Sequence, residues 1–137
     1  MEKIKLSNNQ EFDLIPMGIT VDTANKRRYF KFTSSLTYAE ILALFSASEN
    51  LTTVSYILAD TTVGATYTDC VALKSLSYII NYKVDDLTTA NIYVAEISTD
   101  AAERSMQSLQ SEIADLKQKN QTLQETIDAL VISNLEV

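Results

Sequence analysis

Two hydrophobic rhythms divide the chain. From Met1 to about Ser98, Val, Ile, Thr, Tyr and Phe recur in short runs that alternate with polar residues, whereas from Thr99 onward aromatics vanish and Gln, Glu, Lys, Ala and Leu dominate. A period of two belongs to half-buried strands and a period near three and a half to helices. The change predicts a β-rich head domain over residues 1–98 and a helical element over residues 99–137.

In the head, Lys3-Ile4-Lys5-Leu6 alternates, Ser7-Asn8-Asn9-Gln10 supplies turn residues, and Phe12, Leu14 and the segment to Ile19 resume the strand pattern as an opening hairpin. Pro16 has no N–H for a ladder, so this second strand is expected at an edge or bulged, with Gly18 assisting the bend. Arg28 to Thr33 alternates again, placing Phe30 and Phe32 on one face and Tyr29 and Lys31 on the other. A helix is predicted from Tyr38 to about Ser46. Thr37 is its N-cap, Glu40 the reciprocal cap, and Leu36 is placed to pack on Ile41. Ile41, Leu44 and Phe45 fall on one buried stripe of it. Further strands are expected at Thr53–Leu58, Tyr67–Lys74, Ser75–Lys83 and Asn91–Ser98, with Ala59-Asp60 and Asp85-Asp86 as turns. Six or seven strands and one helix, close in sequence, predict an α+β class: a small antiparallel β-sandwich or flattened barrel with one covering helix.

The C-terminal rhythm is stricter. After a helix start at Asp100 and Glu103, positions Ala102, Met106, Leu109, Ile113, Leu116, Asn120, Leu123, Ile127, Leu130, Asn134 and Val137 follow a four-three alternation over five heptads. Met106, Ile113, Asn120, Ile127 and Asn134 take the a positions; the others take d. A period of 3.5 held for this length, with polar residues at nearly all other sites, predicts a parallel coiled coil between copies of the chain. Asn120 at an a position satisfies its amide only against another Asn in an in-register pairing, which makes it a register device, with Asn134 a second. Glu112 at g and Lys117 at the next e are spaced to pair between parallel chains. Ile at a with Leu at d favours two strands, while Val131 at e widens the face as three would use, so dimer and trimer both stand. The helix would run about 55 Å.

Charge and composition narrow the function. A net charge of −7 repels a phosphate backbone, and the one basic run, Lys26-Arg27-Arg28, is too short to overcome it, so no nucleic-acid partner is expected. The dense basic helix that a basic-region zipper needs before its heptads is absent, only Arg104 being there. No apolar run is long enough to cross a bilayer, and Met1-Glu2-Lys3-Ile4-Lys5 lacks the apolar core of a signal peptide; this predicts folding in a cytoplasm and no membrane insertion. Lone Cys70 has no internal disulfide partner and lies in an apolar stretch, where a thiol acts as a small buried hydrophobe.

The residue inventory points away from an enzyme. There is no histidine, the commonest general base and metal ligand near neutral pH. The two glycines, Gly18 and Gly64, are too far apart for a phosphate-cradling loop. Asp60, Asp69, Asp85 and Asp86 lack the alternating ligand spacing of a calcium loop. No catalytic residue, metal or cofactor is expected. Seven tyrosines (Tyr29, Tyr38, Tyr56, Tyr67, Tyr78, Tyr82 and Tyr93) are expected as half-buried sheet residues, or as a carbohydrate- or protein-binding face if several point outward.

The stretch from Leu36 through Ser46, then Glu49-Asn50-Leu51, a strand through Ile57, and Tyr67 through Leu76 resembles short proteins encoded in the tail region of phages and prophages of Gram-positive bacteria. The closing heptad helix, Leu123 to Leu135, is similar as well, so the resemblance covers most of the chain. It implies a structural part of the virion in or near the tail baseplate or fibres, with other tail or baseplate proteins as partners and no catalytic residues. It also tilts the stoichiometry toward a trimer and places assembly in the host cytoplasm. Two other readings accompany it: a receptor-recognition module binding a host-surface glycan, and a cytoplasmic coiled-coil adaptor unrelated to phage whose helix pairs with a different protein.

Overall fold

The structure, a computed structural model, describes residues 1–135 and the side chains through residue 133. The chain separates into two compact units, Met1–Ala101 and a second that begins at Ala102. The first unit runs β1 (Lys3–Lys5), β2 (Glu11–Asp22), β3 (Arg27–Thr33), α1 (Tyr38–Ser46), a short 3-10 turn (Ser48–Leu51), β4 (Val54–Ile57), β5 (Val63–Tyr67), β6 (Ala72–Lys83) and β7 (Thr89–Ser98). The second is one helix, α2 (Ala101–Leu135).

The fold class is α+β, as expected. All seven strands join one antiparallel sheet in the order β5-β4-β1-β2-β3-β7-β6. The sheet is single, and among the described residues no ladder joins its two edges into a closed barrel. Its two edges, β5 and β6, are consecutive in the chain and joined only by Thr68–Val71. Laid flat, seven strands would span about 29 Å, yet so short a linker reaches at most about 18 Å. The sheet therefore curls until its edges approach. The curl brings the Tyr67 ring of β5 to 6.2 Å from Phe30 of β3, although β4, β1 and β2 stand between them in the ladder.

Inside the curl lies a column of rings. Phe32 sits 4.8 Å from Phe12, 5.5 Å from Phe45 of α1 and 5.9 Å from Tyr93. Phe30 and Phe32 are both buried, while Tyr29 and Lys31 on the opposite face are partly exposed. Helix α1 has the expected bounds and capping box: Thr37 Oγ1 accepts from Glu40 N, and Thr37 N donates to the Glu40 carboxylate. Ile41 and Phe45 are its buried residues, with Leu36 and Leu44 packed against the same core.

Two expected strands are redrawn. Thr68–Val71 is linker, and the residues from Ala72 to Lys83 form one strand with a register shift between Leu73 and Ser75 where a break between two strands was expected. β5 was not anticipated, because Val63-Gly64-Ala65-Thr66 offers small residues and an exposed Val63 with no alternation to read.

The expected distortion at Pro16 is present as a shift of β2 against β3 between Leu14 and Ile19. Met17 takes φ 55° there. A Cβ on Gly18 would fall 2.5 Å from Lys31 O and 2.8 Å from Ile15 O, both backbone atoms that cannot swing aside. Gly18→Ala is accordingly expected to destabilise the head by about 1–3 kcal/mol, read as a lower urea midpoint. An unchanged midpoint would mean that β2 relaxes freely at the bulge.

Candidate assembly surface

α2 runs without interruption from Ala101 to Leu135, about 52 Å, well past the length at which an isolated helix is marginal. Its large apolar seam residues, Met106, Leu109, Ile113, Leu116, Leu123, Ile127 and Leu130, are each 51–60 % exposed. The head's core residues, by contrast, are all at 8 % or below. Burying such a side chain stabilises by about 1.5–3 kcal/mol, so the stripe holds a large unrealised free energy along its whole length.

The structure places the seam residues Ala102, Met106, Leu109, Ile113, Leu116, Asn120, Leu123, Ile127 and Leu130 in this one helix, where the 3.5 spacing aligns them along one stripe. Asn120 is exposed like its neighbours. The side chain of Asn134 and all of Val137 lie outside the described residues. Polar groups off the stripe bond within the helix: Thr122 Oγ1 donates to Gln118 O, Thr126 Oγ1 to Thr122 O, and the Gln124 amide to Asp128. Glu112 and Lys117 are five residues apart, a spacing that does not bring them together on one helix, and both are exposed. Val131 and Ile132, both more than half exposed, widen the apolar surface near the end.

The head contains a second concentration of chemistry, at the Thr68–Val71 linker. Arg28 of β3, 8 % exposed, donates from Nη1 to Asp69 Oδ1 and lies 3.8 Å from Cys70 Sγ. Its guanidinium carbon stands 4.1 Å over the Tyr67 ring centroid. Burial lowers the Arg28 pKa, but the hydrogen bond that Arg28 donates to Asp69 and the contribution of Cys70 outweigh it, leaving the group above its ordinary value. This is a clamp: a cation on the third strand holds both the last residue of β5 and the linker. In the sequence Arg28 stands in the short basic run and Asp69 among carboxylates without metal-ligand spacing, and nothing local signals that the two pair.

The remaining carboxylates cap turns. Asp60 accepts from Thr62 N and Oγ1, and Asp85 accepts from Leu87 N. These bonds, from the Thr62 hydroxyl foremost in one case and the Leu87 amide in the other, hold both aspartates below the ordinary 3.8. Asp86 pairs with Lys83 at 3.7 Å. Among the described residues no group of His, Cys, Asp and Glu side chains is arranged to hold a metal ion, and no helix is long and apolar enough to cross a membrane. Of the tyrosines, Tyr93 is buried, Tyr29, Tyr56, Tyr67 and Tyr82 are half-buried, and Tyr38 and Tyr78 are exposed. Tyr38 donates to Leu76 O and Tyr78 stacks on Tyr93.

Two outcomes are expected. Asp69→Ala leaves the Arg28 guanidinium without its carboxylate, and should cost about 2–4 kcal/mol despite the exposure of Asp69; thermal melts that match the parent would show that Tyr67 and Cys70 hold Arg28 unaided. Carboxylates with a lowered folded-state pKa contribute stability that is present above the unfolded value and lost as pH falls through the folded one. The urea midpoint should therefore decline as pH drops below about 4, less steeply in Asp60→Asn and Asp85→Asn.

Comparison with known proteins supplies no family for the chain: no family model, no curated protein and no solved structure matches it.

Proposed function

We propose that this chain is a non-enzymatic structural protein of a phage tail or baseplate, homo-oligomerising through a C-terminal parallel coiled coil and docking other virion proteins with its β head. One observation carries the assembly part of the reading: a 35-residue helix whose heptad stripe is exposed along its whole described length. A helix made for its own head would need its apolar face covered; this one needs a partner of matching period, and another copy has it. Parallel pairing follows from Asn120. Antiparallel chains set a positions against d positions, which would leave the amide facing leucine, whereas parallel in-register chains set Asn120 against Asn120 and Glu112 near Lys117.

The phage assignment rests on the resemblance over Leu36–Ser46, Glu49–Leu51, the strand through Ile57, Tyr67–Leu76 and Leu123–Leu135, which also favours three chains over two and a location in the virion. The glycan-binding reading has less behind it, since the two exposed tyrosines are engaged by the head itself.

Asn120→Ile should raise the melting temperature of the oligomer while spreading its mass over more than one stoichiometry or register, seen by sedimentation velocity. A variant with one unchanged mass and no gain in stability would remove Asn120 from the seam. For the virion assignment, mass spectrometry of tail particles purified from the encoding strain should find the chain at a fixed ratio to the other tail proteins. Particles without it would overturn that assignment and leave the oligomer untouched.

A further inference from the structure

The curl of the sheet leaves a recess on its inner face. β1 ends at Lys3, opposite Asp13, and the register on that side of β2 stops there, although β2 runs on to Asp22. Ile19 and Val21 of this overhang stand opposite Phe30 and Arg28 of β3, and directly opposed residues share a sheet face. Phe30 and Arg28 are buried, so Ile19 and Val21 lie on the inner face, with Val21 half-exposed at its open end. Glu2 is in line with that face too, two residues before buried Ile4. Together with Leu14, Tyr56 and Tyr67, these residues line a cleft of about 300 Å³. That volume is at the lower end for small-molecule sites, which are mostly apolar with a few placed polar groups and occur in the mouths of barrels.

Among the described residues that line the cleft, Glu2 alone is charged. The Tyr56 hydroxyl donates to its carboxylate, and this bond is the foremost cause holding the phenol above its ordinary 10. It fixes where the carboxylate sits without cancelling its charge, and it occupies one of the carboxylate's several acceptor sites. Lys3 does not neutralise Glu2, since its ammonium stands 3.6 Å from both Glu11 and Asp13. Arg28, stacked on the Tyr67 ring, adds no net positive charge, because Asp69 is paired with it. A single negative charge in an apolar recess is complemented by a ligand with a cationic head and an apolar body.

We propose that this cleft binds a small organic amine, with its ammonium at Glu2 and Tyr56 and its apolar body against Leu14, Ile19, Val21 and Tyr67. A primary ammonium brings three N–H donors and no acceptor. The Glu2 oxygens receive one or two of them. The Tyr56 oxygen, its proton turned toward Glu2, accepts another. Charge-assisted bonds of this kind are about twice as strong as neutral ones, which makes the carboxylate the discriminating group and the apolar wall the source of contact area. The site belongs to the head alone and is independent of the assembly reading.

The test titrates the full chain at neutral pH with phenethylammonium chloride and follows the backbone amides by NMR. Phenylethanol and phenylpropionate serve as neutral and anionic counterparts, and lysine capped at both ends stands in for a protein side chain. A ligand of about nine non-hydrogen atoms should bind with a Kd in the millimolar range, shifting the amides of Gly18, Ile19, Val21, Tyr56 and Tyr67. Glu2→Gln, which keeps an acceptor for Tyr56, should weaken binding about tenfold, and Val21→Trp should abolish it by filling the cleft. Unshifted amides elsewhere in the head report that both variants are folded. Equal affinity for phenylethanol, unchanged affinity in Glu2→Gln, or no shifts at the cleft up to about 50 mM amine overturns the site. Tighter binding of the capped lysine than of the free amine overturns the small-molecule assignment and gives the cleft to a protein's side chain.

Discussion

A linker of four residues, Thr68–Val71, ties together the opposite edges of a seven-stranded sheet, and the rest of the head depends on it. Because the linker is shorter than the flat sheet is wide, the strands have to curl, and the curl makes the interior into which Phe12, Phe30, Phe32 and Phe45 are packed. The Arg28 clamp acts at this point. It grips Asp69 and Tyr67 from β3, so the residues that force the curl are also those fastened to the strand on its far side. The bulge in β2 belongs to the same geometry, since a curled sheet bends its long strands where a residue such as Gly18 allows backbone to pass close to backbone.

The head and the helix meet the hydrophobic effect differently. The head covers its own core residues with strands and α1. α2 covers none of its stripe. Its apolar residues keep a coiled-coil period over 35 residues, which is longer than any local requirement of the head would explain. In the proposed coil, the polar residue in the middle of that stripe, Asn120, would give up stability to restrict how chains align.

Local signals were legible in the sequence where one short stretch determines the outcome. The Thr37–Glu40 capping box and the Ile41–Phe45 stripe set the bounds of α1; the Phe30/Phe32 alternation set the inner face of β3; Pro16 marked the bulge. The heptad stripe was read residue by residue, although what covers it is not written in a single chain. Non-local features were not legible. β5 has small residues and no alternation, so only its pairing with β4 defines it, and the break expected between Lys74 and Ser75 is a bulge within β6. The Arg28–Asp69 clamp joins residues 41 apart through the curl of the sheet, and neither residue carries a local sign of the other.

The central claim is that α2 joins copies of the chain, and the solution mass of the purified protein, measured by light scattering across a range of concentrations, tests it most directly. The account expects a single discrete dimer or trimer that persists at micromolar concentration. A monomer there would contradict it, and would assign the stripe from Met106 to Leu130 to the helix of a different protein.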